Sequence, residues 1–304
     1  MGSTQFGNFH DFCRDSTLPI LMRVVCIQLF RKADNQPPNE LFDGCALVGL
    51  SLSNDRNLAN LGSVLLCGIG ILLTAFLIWR SELKKAAVGR REMQIFLAGF
   101  IIIQICEIFS VGGLPIPADV RKGFTAVHLG AIAATCWVLL LNAVVGFQLL
   151  DDGTPISVGL HLASGAILFI GTGYIALDTA FSWTGHFASS LDGDNRNLGL
   201  YVLYLLFPLV CLFVFFVLEA ILVIRILGEM RPLLYLGASA LLFAVGQVFQ
   251  FVVSTHLCQA ANGKINGAFF ETLFTLLSVG MVWIFWSSIT EDDWPMPVGG
   301  GGYS

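Results

Sequence analysis

Long runs of apolar residues, separated by short polar connections, dominate the pattern of hydrophobic and polar positions. Seven runs approach or exceed the roughly 20 residues that an α-helix needs to cross a bilayer. They cover residues 59–79, 93–111, 124–149, 157–180, 199–224, 234–256 and 267–287. The pattern predicts an all-α, polytopic membrane protein built as a seven-transmembrane-helix bundle.

The polar stretches at the two ends divide the chain into three parts. We predict a cysteine-containing N-terminal segment at residues 1–58, a seven-helix transmembrane domain at 59–287 and an acidic tail at 288–304. The connections between the helices are too short to fold as separate domains. The transmembrane domain is therefore expected to carry most of the structure.

Composition supports the membrane interpretation and excludes one class of partner. The chain is 56% hydrophobic and 12% charged, whereas soluble domains are about 25% charged. The lipid bilayer is therefore the expected surroundings of the helices. The net charge of −5 comes without a basic patch, so no nucleic-acid partner is expected.

Basic residues predict the orientation, because cytoplasmic loops of membrane proteins are enriched in Lys and Arg. The loop after the first run is the most basic connection and contains Arg80, Lys84, Lys85, Arg90 and Arg91. We expect this loop in the cytosol, the N-terminus in the lumen and the C-terminus in the cytosol.

The cysteines fall into two groups. One group lies inside apolar runs, where cysteine behaves as a small hydrophobic residue: Cys67, Cys106, Cys136 and Cys211. The other group lies on the predicted lumenal side: Cys13, Cys26, Cys45 and Cys258. An even number of cysteines in an oxidising compartment indicates disulfides. The pairing stays open, and free thiols are the alternative.

Several polar residues lie within the predicted helices, where they are costly and therefore functional candidates. They are Glu107, His128, Asp178, Glu219, Gln247 and Glu271. Hydrogen bonding between helices is the favoured interpretation. We expect Glu219 to pair with Arg225 by snorkelling of the arginine, and contact with a partner helix is the alternative.

Metal binding is the enzymatic alternative for these residues. Glu107, His128, Asp178 and Glu271 fall near the lumenal ends of their helices, and such ligands suit zinc in a lipid hydrolase. However, the histidines are far apart, and no zinc-ligand spacing, nucleophile elbow or phosphate loop occurs. We therefore expect no metal, no cofactor and no catalytic residue, so the chain is not expected to be an enzyme.

Six stretches in fixed order resemble the fungal chitin synthase export chaperone family. They are FGNF at 6–9 through Cys13 with TLP at 17–19, AVGRRE at 87–92, GFQLLDDGT at 146–154, GQV at 246–248 with Ser254, Thr255 and Cys258 (together 246–258), INGAFF at 265–270 and TEDD at 290–293. Residues 21–36 are unusually basic and do not resemble the family, which indicates an insertion or a gene-model error. Several other family positions also differ, which suggests a divergent paralogue.

The resemblance implies a multi-pass protein of the endoplasmic reticulum membrane that assists the folding and export of a chitin synthase. Such a protein would serve cell wall biogenesis, remaining with its client as a non-catalytic partner as far as the plasma membrane or septum. A seven-helix receptor is a weaker alternative, because receptor motifs are missing. Candidate cytosolic contacts, including one to a vesicle coat, are Arg90, Arg91, Asp151, Asp152, Glu291 and Asp293.

Overall fold

Seven long helices make up most of the computed structural model, which describes residues 50–52, 56–58, 60–111, 114, 116–148, 152–187 and 198–290. Each helix is long and apolar enough to cross a membrane, which confirms the seven predicted spans. They are α1 (Leu61–Leu83), α2 (Arg90–Ser110), α3 (Ala118–Gly146), α4 (Pro155–Phe181), α5 (Leu198–Leu227), α6 (Arg231–Val248) and α7 (Gly267–Ile289).

The helices alternate in direction, so the bundle has two ends. We call the end where α1 begins the N-side and the end where α7 finishes the C-side. A short antiparallel hairpin precedes α1 on the N-side: β1 (Leu50–Leu52) pairs with β2 (Arg56–Leu58). This hairpin is not predicted from the sequence, because three-residue strands are too short to show an alternating pattern. Most of the predicted N-terminal segment, and residues 291–304, lie outside the described residues.

Local sequence signals explain where several helices begin and end. Asn60 precedes α1 and accepts a hydrogen bond from the backbone N–H of Ser63 at 3.2 Å. Thr154 does the same for Ser157 at the start of α4, at 3.2 Å, and Pro155 occupies the first helical position, where its missing N–H costs nothing. Gly228 ends α5 with a left-handed φ of 65°, which glycine adopts without steric cost.

Two helices contain π-helical segments. In α5, Val202–Leu206 and Leu222–Leu227 are π-helical, and the first of these segments ends just before Pro208. Proline has no N–H to donate to the carbonyl four residues earlier, so a helix commonly widens or bends there. The chain of α6 continues through a π-helical segment at Phe249–Val253 into a last α-helical part at Ser254–Ala260.

The helix order in space places α3 at the centre, against α2, α4 and α5, whereas α7 packs on α6 and α1. A shared core of large apolar side chains joins α1, α2, α3, α5, α6 and α7 and includes Leu97, Phe100, Val138, Phe215 and Phe285. The helices α5 and α6 follow each other in the chain, but α5 packs mainly on α3 and α6 mainly on α7. The seam between α5 and α6 is consequently a weakly packed boundary.

The α6–α7 pair is joined by both polar bonds and close backbone contact. Ser239 donates to the carbonyl of Ser278 at 3.1 Å, and Ser278 donates to the carbonyl of Ser239 at 3.0 Å. At the N-side of the pair, a Cβ on Gly267 would lie 2.6 Å from the Cβ of Ser254 and still closer to the carbonyl oxygen of Phe249. Only glycine allows this approach without displacing the backbone.

Candidate functional site: an intramembrane cavity with a polar end

A cavity of about 610 Å³ lies between α2, α3, α5, α6 and α7. Its walls are mainly apolar and include Phe96, Phe100, Ile132, Leu212 and Val279. Polar side chains lie mostly toward the N-side, contributed by the end of α2, the start of α3, the π-helical segments and the start of α7. The cavity is therefore amphipathic along its length.

The polar end contains two carboxyl groups from facing helices. Glu107 is buried and accepts a hydrogen bond from the hydroxyl of Thr272. Glu271 lines the same cavity, and its carboxyl group accepts the hydroxyl of Thr275 at 3.4 Å. Gln250 is 2% exposed, and neither its oxygen nor its nitrogen has a hydrogen-bond partner. The cavity thus contains an amide whose hydrogen-bonding capacity is unused.

Four of the residues singled out from the sequence line this one cavity: Glu107, His128, Gln247 and Glu271. The Nδ1 atom of His128 lies 3.4 Å from the hydroxyl oxygen of Ser110. These residues lie near helix ends on the same side of the bundle, so they lie at a similar depth in the membrane.

Asp178 is not part of the cavity lining. Its carboxyl group accepts the backbone N–H of Thr184 at 2.6 Å, the Thr184 hydroxyl at 2.9 Å and the backbone N–H of Phe187 at 3.3 Å. Its role is structural, because these bonds close the turn that follows α4. Of the four residues considered as zinc ligands, Asp178 is thus separate from Glu107, His128 and Glu271, which line the cavity.

Several polar residues of the cavity were not predicted as site residues, among them Gln104, Tyr204 and Thr272. Gln104 lies three residues before Glu107, a spacing that places both on one face of α2, and that signal could have found it. Tyr204 belongs to the π-helical segment of α5, whose register a regular helical pattern does not give.

The described residues contain no group of three or more His, Cys, Asp or Glu side chains placed to hold a metal ion. Glu107, His128 and Glu271 share the cavity but do not form such a group. The lipid hydrolase alternative therefore lacks a ligand set in the described part of the chain.

Hydrogen bonds join two of the family-like stretches at the C-side. The backbone N–H of Gly89 donates to the carboxyl of Asp152 at 3.0 Å. Glu92 is fully buried, and its Oε1 accepts the hydroxyl of Ser157 at 2.7 Å and the backbone N–H of Gly153 at 3.0 Å. We call this contact the C-side junction, and it fixes the start of α2 against the start of α4.

Arginine residues beside the junction also make contacts within the chain. Arg91 pairs with Glu82 at 2.8 Å, and both side chains are about half exposed. Arg90 donates to the carbonyl of Glu82 at 3.4 Å. Of the six predicted cytosolic contacts, Arg90, Arg91 and Asp152 thus have partners in the chain. The other predicted contacts, Asp151, Glu291 and Asp293, lie outside the described residues.

Glu219 lies on a second, smaller cavity of about 260 Å³ near the C-side, together with Asn142 and Trp286. It is 6% exposed, and its Oε2 has no hydrogen-bond partner. Arg225 is exposed, and these two described residues form no ion pair. The predicted pairing is wrong, because Glu219 is buried within the bundle whereas Arg225 lies on its exposed surface.

The cysteines within the helices are free thiols: Cys67, Cys106, Cys136 and Cys211. Cys258 lies near the N-side end of the α6 chain and is buried. It is not one of the free thiols among the described residues. The other three predicted disulfide cysteines, Cys13, Cys26 and Cys45, lie outside the described residues.

Comparison with known proteins identifies the family. The chain matches the family model described as chitin synthase export chaperone over residues 5–300. It belongs to the chitin synthase export chaperone family. Curated relatives named chitin synthase export chaperone include proteins of Coccidioides immitis (31% identical) and of Chaetomium globosum and Aspergillus oryzae (30% identical each). Each alignment covers 97% of this chain and 85%, 85% and 86% of the relative, respectively. No solved structure matches the chain.

The stretches that resemble the family contact one another at two places in the fold. The family is described as a chaperone and not as an enzyme. The family-like stretches 87–92 and 146–154 meet at the C-side junction, and the stretches 246–258 and 265–270 meet where Ser254 accepts the backbone N–H of Gly267 at 3.1 Å. Stretches that are distant in the chain thus form neighbouring helix ends in the fold.

Proposed function

We propose that this chain assists the folding of a chitin synthase and its export from the endoplasmic reticulum, and that it stays bound as a non-catalytic partner in cell wall biogenesis. The observation that carries the proposal is the family match over nearly the whole chain. The lack of a metal-ligand group among the described residues agrees with a role in binding. The polar groups are enclosed within the bundle, so most outer faces are apolar and can contact the helices of a client.

Outer faces of the bundle offer surfaces for a client helix. On α1, Leu65, Ile69 and Leu72 are at least half exposed, and Ile167 and Ile170 are exposed on α4. In the bilayer these side chains contact lipid, and helix association depends on close packing and interhelical hydrogen bonds. The polar residues predicted within the helices support the fold or line a cavity, and they would contact a client only if a client helix opened the bundle. These residues are Glu107, His128, Asp178, Glu219, Gln247 and Glu271.

The orientation that we propose puts the C-side in the cytosol and the N-side in the lumen of the endoplasmic reticulum. The C-side connection between α1 and α2 carries Lys84 and Lys85, next to Arg80, Arg90 and Arg91, and this agrees with the positive-inside rule. The acidic tail with Glu291 and Asp293 would then face the vesicle coat. Transport with the client to the plasma membrane or septum belongs to the same proposal.

A lumenal disulfide is expected from this orientation. We propose that Cys258 is bonded to one of Cys13, Cys26 and Cys45. In a Cys258→Ser variant, reduction should expose fewer new thiols to a maleimide–polyethylene glycol reagent than in the unaltered chain, measured by gel shift after denaturation. Cys211→Ser is the control, because Cys211 is a free thiol and its loss should leave the reduction-dependent shift unchanged. If Cys258 is labelled without reduction, the disulfide proposal is wrong.

The escort function predicts the location of its client. In a host strain that lacks this gene, each fluorescently tagged chitin synthase is imaged in turn. At least one synthase should remain in the endoplasmic reticulum and return to the surface when the gene is restored, because its exit depends on this partner. A polytopic surface protein unrelated to chitin synthesis should be transported normally in the same strain. Normal surface delivery of every synthase would contradict the proposed function.

A further inference from the structure

We propose that the 610 Å³ cavity binds one membrane lipid that has an apolar body and a small hydroxyl- or amine-bearing head. The lipid would enter sideways from the bilayer between α5 and α6. Its head would lie at the polar end, near Glu107, Glu271 and Gln250, and its body would lie along the apolar walls. This inference concerns a ligand, and it does not depend on which protein is the client.

The cavity has a side boundary that faces the bilayer. Leu206 and Leu209 of α5 line the cavity, yet they are 42% and 61% exposed, so the cavity reaches the outer surface of the bundle at α5. Phe243, Gln247 and Gln250 line the same cavity from α6 and its continuation, and α5 and α6 pack only weakly on each other. The π-helical segments Val202–Leu206 and Phe249–Val253 border the same region, and such segments are common at functional sites. A ligand dissolved in the membrane would enter the cavity at this boundary.

The polar end favours a ligand that donates hydrogen bonds. Glu107 and Glu271 supply carboxyl oxygens, and no Lys or Arg lies among the described residues that line the cavity. A phosphate or carboxylate head would face two carboxyl groups without a cation to neutralise it, whereas a hydroxyl or an amine can donate to them. Gln250 independently indicates a ligand at this end. Its amide is 98% buried and unpartnered, so it loses its hydrogen bonds to water without replacement unless a ligand supplies them.

The volume selects a lipid over a client helix. Ligand pockets commonly measure about 300–1,000 Å³, and the cavity falls within this range. One turn of an α-helix, taken as a cylinder about 10 Å wide and 5.4 Å long, occupies about 420 Å³. The cavity therefore cannot enclose a membrane-spanning client helix, although it suits a compact amphiphile. A sterol and a sphingoid base share the required chemistry, one with a hydroxyl head and one with an amine.

Photolabelling of the purified full-length chain in nanodiscs tests the proposal. The probes are a photoreactive clickable sterol, a photoreactive clickable sphingosine and, as the anionic comparison, photoreactive phosphatidic acid. At equal probe concentration, the sterol or the sphingosine should label at least fivefold more strongly than phosphatidic acid, and peptide mapping should place the adduct on cavity-lining residues. The stronger of the two arms identifies the source of the head group.

Two variants separate the cavity from the outer surface. Leu212→Trp fills the cavity and should reduce labelling at least fivefold, whereas Leu241→Trp adds the same side chain at a position on α6 that is 65% exposed and should leave labelling unchanged. If Leu212→Trp does not fold, Gln250→Leu removes the unpartnered amide and should also reduce labelling. Equal labelling by all three probes, labelling that neither variant reduces, or a photo-crosslinker at Leu209 that captures only the synthase would overturn the proposal.

Discussion

Replacement of Gly267 by alanine is expected to destabilise the bundle by about 1–3 kcal/mol, because overpacking at a close contact forces side chains and backbone apart. The added Cβ would press on the carbonyl oxygen of Phe249 and lie 2.6 Å from the Cβ of Ser254. Part of what it meets is backbone, so rotation of a side chain cannot relieve the contact. The same shift would also lengthen the bond from the Gly267 N–H to the Ser254 hydroxyl.

A thermal melt in detergent, followed by fluorescence-detected size-exclusion chromatography, measures this loss. Gly280→Ala on the same helix is the matched control, because a Cβ at Gly280 would meet nothing within 4 Å. That control should melt at or slightly above the temperature of the unaltered chain, since alanine favours helix more than glycine does. Equal melting of the Gly267→Ala and Gly280→Ala variants would show that the α6–α7 contact is more compliant than described.

Replacement of Glu92 by leucine is expected to cost about 2–4 kcal/mol, because it removes the acceptor for two donors at the C-side junction, each of which costs about 1–3 kcal/mol when left unpaired. The donors are the hydroxyl of Ser157 and the backbone N–H of Gly153. Loss of both bonds releases the start of α4 from α2. Glu92→Gln retains an acceptor oxygen and should cost less than Glu92→Leu.

The comparison with Glu82→Ala makes this prediction specific. Glu82 pairs with Arg91, but both side chains are about half exposed, and such surface pairs contribute about 0–1 kcal/mol. The same thermal melt should therefore rank the three variants with Glu92→Leu least stable and Glu82→Ala most stable. If Glu82→Ala proves as damaging as Glu92→Leu, burial at the junction is not what determines its strength.

The seven helices could be predicted because lipid requires long apolar segments with internally bonded backbones. Their ends shifted by a few residues, since polar residues such as Arg90 and Glu92 continue α2 beyond its apolar run. The π-helical segments could not be predicted from a pattern that assumes one period along a whole helix. Pro208 marks the place of one of them, but Phe249–Val253 contains no proline.

Sequence position predicts how deep a residue lies in the membrane, and it does not predict which direction its side chain faces. Glu107, His128 and Glu271 share a depth and also face one cavity, whereas Asp178 shares the depth and is used by the turn after α4. The sequence also does not show that the side chain of Gln250 lacks a hydrogen-bond partner, because this depends on where the neighbouring helices lie. The family resemblance identified the ordered stretches in the sequence, and the fold shows which of these stretches contact each other.

The serine pair that joins α6 to α7 has a consequence for biogenesis. The hydroxyl of Ser239 donates to the carbonyl of Ser278, and the hydroxyl of Ser278 donates to the carbonyl of Ser239. These polar groups are thus partnered within a single helical hairpin, and they need no help from helices made earlier. We therefore expect the hairpin to leave the translocation channel as one unit, with one wall of the cavity assembled before it meets α2 and α3.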